Sequence, residues 1–289
     1  TGRPNMSKKN CGHYSGIGGQ AVLEGVMMKN KDEYAVSVRK PDGNIETKKE
    51  KYTGILSGSK LTKLPFIRGV FNFIDSLVLG MQTLTYSASF YEEEDARETK
   101  TDQVLDKVSK GNGEKLLMGL TVAFSIVLAV AIFIALPYGI SLLFHSYIRN
   151  ASLLAILEGI VRLAIFLSYV ALIAGMKDIR RVYQYHGAEH KCINCIEHGL
   201  ELTVDNVRGS SKEHKRCGTS FIMIVMVISI LFFMVIRVDT VWLRVVSRIV
   251  LIPVIAGVSY EFLRFAGRHD SRLVNVLSRP GMWMQGLTT

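Results

Sequence analysis

Four stretches of this chain are apolar with no polar stripe to give them a wet side. Leu116–Phe144, Leu153–Gly175, Gly218–Ile236 and Val245–Phe265 each reach the ~20 residues that a helix needs to cross a hydrocarbon core. The third contains "FIMIVMVISILFFMVI", which leaves a soluble helix nothing to show to water. The pattern predicts an α-helical integral membrane protein with about four transmembrane helices, paired as 116–175 and 218–267.

The remaining segments carry shorter periods. Within residues 1–63, "GIGGQAVLEGVMMK" (Gly16–Lys29) is an apolar stretch punctuated by glycine. Two alternating runs, "YAVSVRK" and "IETKKEKY", flank "PDGN" and predict a β-hairpin in a small N-terminal region. Over 64–91, Ile67, Val70, Phe71, Ile74, Leu77, Val78, Met81 and Leu84 recur at helical spacing, and Pro65 suits a first turn. The other face of this amphipathic helix is only weakly polar (Arg68, Asn72, Ser76, Thr83). Two placements stay open for it, at the membrane and against the spans, or buried in a soluble domain. Residues 92–115, "EEEDARETKTDQVLDKVSKGNGEK", read as a charged linker. A loop at 176–217 and a tail at 268–289 complete the division.

Charge orients the spans. Lys and Arg number 18 before the first span, 8 in the 176–217 loop and 4 at the tail if Arg264 is counted there. The two other connections hold Arg149, Arg237 and Arg244. The positive-inside rule therefore places both termini and the 176–217 loop in the cytosol. A net charge of +10 favours an anionic lipid bilayer as partner. No aromatic-and-basic recognition module accompanies the charge, so nucleic acid is expected only through association with a ribosome. The start, "TGRPNMSKKN", lacks the apolar core of a signal peptide, and Met6 reads as a natural start after a cloning remnant. Cys11, Cys192, Cys195 and Cys217 all fall on the cytosolic side, where thiols are expected rather than disulfides.

Candidate chemistry concentrates in "VYQYHGAEHKCINCIEHG" (Val182–Gly199). His186, Glu189 and His190 spell H-x-x-E-H. At about 100° per residue they share one helix face, so two imidazoles one turn apart can hold a divalent ion beside a carboxylate able to act as base. A metal needs a third ligand. His214 and Cys217, in "EHKRCGTS", stand just before the third span, and Glu261 lies near the inner end of the fourth, all on the same membrane face. Cys192 and Cys195 form a CxxC, but no second CxxC exists to complete a zinc site. Cys11-x-His13 is a further pair with nothing to place it. His198, His145 and His269 stand alone. On the opposite side Glu158 and Arg162 are spaced i, i+4 in the second span, and Arg248 enters the fourth at similar depth.

Taken together, "GGQAVLEGVMM", "PFIRGVFNFIDSLVLGMQTL", "YHGAEHK", "RCGTSF" and "YEFLRFAGR" resemble the YqhQ-like family of bacterial membrane proteins, described as metal-dependent enzymes of unassigned reaction. The resemblance runs from about Gly18 to the tail. It implies a multi-pass protein of the bacterial cytoplasmic (inner) membrane with a cytosolic site. His186, Glu189, His190 and Lys191 match its "HGAEHK", which adds Lys191 to Glu189 as a catalytic candidate; Cys217 matches its "RCGTS". Gln20 and Glu24, polar groups in "GGQAVLEGVMM", are candidates to complete the site from the N-terminal region. The chain departs from the pattern at Cys192, where threonine is common, and at Lys215, where proline is common.

Three readings follow. In the first, a divalent ion, zinc by the softness of a cysteine ligand, is held by His186, His190, Cys217, His214 or Glu261, and the protein is a hydrolase at the inner leaflet. In the second, the same residues form a structural clasp, and the protein is a scaffold with a protein partner at its cytosolic face, in the machinery of protein insertion or translation. In the third, Glu158, Arg162, Arg248 and Glu261 serve a transporter, although no broken repeat halves accompany them.

Overall fold

A computed structural model describes residues 14–55, 58–59, 62, 64–91, 113–236, 240–269 and 271–289. Cys11, His13, Met6 and most of the charged linker lie outside them.

The chain opens with an antiparallel meander, β1 (Ile17–Val22), β2 (Gly25–Asn30), β3 (Glu33–Arg39) and β4 (Ile45–Lys51), in the order β1-β2-β3-β4. The expected hairpin is the β3–β4 pair, with Arg39 opposite Ile45 across the "PDGN" turn. The glycine-rich stretch before it is a second hairpin, β1–β2, which its irregular apolar pattern hid. In β3 alternate side chains Tyr34, Val36 and Val38 turn inward and join Val22, Met27 and Leu79 in the core. All of β4 is exposed, and its lysines blunt the outer edge of the sheet.

Helix α1 (Ile67–Ala88) covers the inward face of the sheet with Leu79, and its Ser87 Oγ accepts the Leu23 N–H at 3.0 Å. Then come α2 (Gly113–Val130), a widened π turn at Ala131–Ala135, α3 (Leu136–Leu143), α4 (Ala151–Ala174), α5 (Lys177–Glu197), the short α6 (Val204–Gly209), α7 (Gly218–Val235), α8 (Val241–Ala266) and α9 (Arg272–Thr288). Four segments, Gly119–Leu143, Ala151–Ala174, Gly218–Val235 and Val246–Ala266, are long and apolar enough to cross a bilayer, close to the predicted bounds.

Two departures matter for the site. The expected loop between the second and third spans is mostly helix, because α5 follows α4 after a break at Gly175–Met176 and runs 21 residues to Glu197. The expected tail is helix α9, whose buried side (Val274, Ser278, Gly281, Met284, Gln285, Thr288) lies against the bundle. It comes closest where a side chain at Gly281 would strike Ser220 of α7.

Candidate metal centre

Helix α5 sets His186, Glu189 and His190 on one face, as the spacing predicts. His186 Nδ1 donates to the Thr288 carbonyl at 2.8 Å, and His190 Nδ1 donates to the Lys212 carbonyl at 2.6 Å. A carbonyl only accepts, so each ring carries hydrogen on Nδ1 and presents Nε2 on its outward side. The rings stand edge to face with centroids 4.4 Å apart. Cys217 caps α7 at its N-terminus. Its Sγ lies 3.2 Å from His186 Nε2 and meets the Thr219 N–H at 3.4 Å and the Thr219 hydroxyl at 2.8 Å. The sulfur thus sits where the partial positive charge of the helix N-terminus falls. One ligand atom each from His186, His190 and Cys217 lies within 4.8 Å of the others.

Glu189 lies beside this group, with Oε2 3.5 Å from His190 Nε2. It is 3% exposed. Burial pushes its carboxyl up to about 7, against the opposing pull of His186 and Arg216. Its lid is β1: a Cβ at Gly19 would come 2.3 Å from Glu189 Oε1, so only glycine lets the strand lie there. This accounts physically for Gly19, the glycine that directly precedes Gln20.

A polar frame holds the irregular segment 210–217 that delivers Cys217. Gln285 of α9 accepts the His214 N–H at 2.8 Å through Oε1. Its Nε2 donates to the His214 carbonyl at 2.8 Å and to Ser220 Oγ at 2.6 Å. Gln285 is fully buried, so each of these bonds replaces water it has lost. Glu197, at the end of α5, accepts from His214 Nε2 at 3.2 Å, from the Ser15 N–H at 3.0 Å, from the Ser15 hydroxyl at 2.8 Å, and from Arg216. Burial opposes its ionisation, but these donors prevail and bring its carboxyl down to about 2.

Several sequence candidates stand elsewhere. Glu261 is not in the cluster. Arg68 of α1 takes both its oxygens, at 2.6 and 2.5 Å, so it pairs neither with a metal ligand nor with Arg264 or Arg268. His214 is close, with its ring 5.9 Å from that of His190, but its Nε2 is committed to Glu197. Lys191 reaches the Arg208 carbonyl at 2.7 Å and ends α6 rather than facing the site. Glu24 sits at the β1–β2 turn with φ of 48° and is held there by Arg181, at 2.6 and 2.9 Å, and by the Tyr185 hydroxyl. Gln20 packs onto Gly80 of α1. Cys195 is buried with its thiol toward the Leu200 and Glu201 carbonyls, and among the described residues the cysteines are free. His198 and His269 each bond a carbonyl four residues back. Sequence reading missed Gln285, Glu197 and the Thr288 and Lys212 carbonyls. A lone glutamine on the buried side of an amphipathic tail was the one signal available.

Residues 64–289 match the family described as "Protein of unknown function (DUF1385)". The chain is 36% identical over 276 residues to "Uncharacterized protein YqhQ" of Bacillus subtilis (strain 168), covering 94% of this chain and 86% of that relative. No solved structure matches. The chain belongs to the DUF1385 family, and its likeness to YqhQ agrees with the motifs from which that resemblance was read.

Proposed function

We propose that this is a multi-pass protein of the cytoplasmic membrane that holds a divalent ion, zinc by preference, on its inner face and hydrolyses a substrate there. The observation that carries the reading is the convergence of His186, His190 and Cys217 with both imidazoles fixed from behind by backbone carbonyls. An Nδ1–H donated to a carbonyl is how ligating histidines are commonly oriented, because it fixes tautomer and ring plane at once. The donors fit the ion: two imidazoles and a thiol suit zinc, and three protein ligands leave a position for water or substrate. A zinc ion bound there would supply Lewis acidity and lower the pKa of a water it holds. Glu189, buried at the edge of the cluster, is the group placed to take up a proton, which is its role in this reading. Lys191 has no part in it.

Membrane topology supports the location. The cluster lies at the first turn of α7, where an apolar segment long enough to span begins, and the basic residues gather on that side. Elemental mass spectrometry of the purified protein tests the reading. Near-stoichiometric zinc is expected in wild type and less than about a tenth of it in His186→Ala, His190→Ala and Cys217→Ala, since loss of one of three ligands removes a large part of the affinity. A folded wild type that takes up no divalent ion on supply would sink the enzyme reading.

A further inference from the structure

Helices α1 and α9 share a feature that the bundle alone does not use. Between Arg68 and Ala88, α1 turns no charged side chain outward: its only carboxylate, Asp75, is turned to the Tyr52 hydroxyl at 3.2 Å and the Ile55 N–H at 2.9 Å. What faces out is an apolar stripe, with Ile74, Leu77, Met81 and Leu84 exposed at helical spacing and Met81 at 68%. Helix α9 repeats the arrangement. Leu273, Val276, Leu277 and Trp283 fall within a third of the helix circumference and are 49–69% exposed. Arg272 and Arg279, two turns apart and exposed, line one border of that stripe.

Both helices are fastened at the same level of the molecule. Phe73 of α1 packs on Phe221 of α7 with ring centroids 5.4 Å apart, and Gly281 of α9 lies on Ser220, the neighbouring residue. Ser220 and Phe221 belong to the first turn of α7, where an apolar span starts. Arg68 and Asn72 bond Glu261 and Tyr260, in the final two turns of α8, where another span ends. The stripes are therefore continuous with the ends of the membrane-spanning helices.

We propose that α1 and α9 lie in the plane of the membrane, their stripes seated in the boundary between headgroups and acyl chains of the leaflet that borders the metal cluster. Water is a poor neighbour for two helices of 22 and 17 residues with such faces, and the acyl-chain boundary is the apolar phase already present at that level. Arg272 and Arg279 meet lipid phosphate at the border of the α9 stripe. The opposite side of α9 carries Gln285 and Thr288, so the lipid seat and the frame of the ligand cluster share one rigid helix. The inference rests on the membrane reading but on neither metal nor catalysis.

Trp283 reports the seat directly. Protein in nanodiscs is purified by flotation, which tests membrane insertion on its own. Emission is then compared in discs of plain phosphatidylglycerol–phosphatidylcholine and in discs whose acyl chains carry bromine near the glycerol end or near the methyl end. The Trp283 signal is the difference between wild type and Trp283→Phe, so Trp242 stays in place; a Trp242→Phe chain gives it a second way. A seat 5–10 Å below the headgroups predicts loss of about half the Trp283 emission or more with glycerol-end bromine, a smaller loss with methyl-end bromine, and protection from acrylamide. The same test on Leu77→Trp, made with Trp242→Phe and Trp283→Phe, reads α1. Acrylamide quenching without bromine quenching would overturn the proposal, leaving the stripe open to a soluble partner. Resistance to both quenchers would also overturn it, because protein, such as a second copy of the chain, would then cover the stripe. In either case flotation with the discs would leave the membrane reading intact.

Discussion

Two buried polar clusters in this molecule are built on the same spacing and come to opposite ends. Glu158 and Arg162 stand i, i+4 on α4; His186 and His190 stand i, i+4 on α5. In the first cluster the groups are spent on one another. Glu158 gives one oxygen to Arg162 at 2.7 Å and the other to Arg248 of α8 at 2.5 Å. Arg162 Nε donates to the Phe133 carbonyl at 3.0 Å, an acceptor left open because Pro137, four residues on, has no N–H to give it. Phe233 lies under both guanidinium groups. In the second cluster the backs of the rings are held by backbone carbonyls, and one ligand atom each of His186 and His190 converges with Cys217 Sγ within 4.8 Å. Spacing on a helix decides which side chains meet. What arrives from the other elements decides whether the meeting is a clasp or a site.

The comparison breaks first at Glu158. Replacing it with glutamine leaves two guanidinium groups among apolar helices with no carboxylate between them. Breaking a buried pair by removing one partner typically costs about 3–5 kcal/mol, and Glu158→Gln is expected to lower stability by that order in thermal unfolding of the reconstituted protein. The protein that remains folded should keep its full metal content. Loss of metal in step with Glu158 would show that the clusters are coupled and the distinction false.

A smaller effect is expected at Gln285, which touches no ligand atom and acts through the irregular segment that carries Cys217. Gln285→Ala removes its three bonds, leaves the His214 N–H buried without a partner and leaves the His214 carbonyl only the Cys217 N–H, at 3.4 Å. Outer-shell losses of this kind weaken metal binding about 10–100-fold, roughly 1.4–2.8 kcal/mol. Competition with a calibrated chelator would measure the change. An unchanged affinity would mean that the segment holds Cys217 in place without Gln285. Gly19→Ala is expected to cost about 1–3 kcal/mol by overpacking, since its new methyl group meets the Glu189 carboxylate. Combining it with Glu189→Ala should return most of that loss, and a sum of independent effects would remove β1 as the lid.

These tests also mark what could be read before the fold was known. The four apolar segments, the β3–β4 hairpin, α1 and the shared face of His186, Glu189 and His190 were legible because each is a periodicity within one element. Cys217 was legible because an apolar segment begins beside it. Glu261 misled for the same reason: an ionisable residue near a span end signals a partner, but pattern alone does not say that the partner is Arg68, 193 residues away. Gln285 and the Thr288 and Lys212 carbonyls were hidden more deeply. A backbone carbonyl has no letter in the sequence, and a helix that reads as a polar tail gives no sign of which element its buried side will meet. The β1–β2 hairpin was masked by a glycine-punctuated pattern, in which Gly19 is there because Glu189 needs the room.

The smallest effect is a slope. Glu197 holds the frame at the end of α5, beside the His186–His190–Cys217 group, and its carboxyl falls from an ordinary 4.5 to about 2 in the folded protein. A depressed carboxylate contributes stability that is fully present above its unfolded value and is lost as pH falls through its folded one. The contribution of Glu197 should therefore be whole above pH 4.5 and decline toward pH 2. One proton sets a ceiling of about 1.4 kcal/mol per pH unit on this slope. In Glu197→Gln the slope over that window should flatten, since the amide cannot take up the proton, while His186, His190 and Cys217 are left in place. Acid unfolding of the two proteins side by side measures the difference. Parallel curves would mean that Ser15, His214 and Arg216 give Glu197 no more stabilisation folded than water gives it unfolded. The frame around Cys217 would then rest on Gln285 alone.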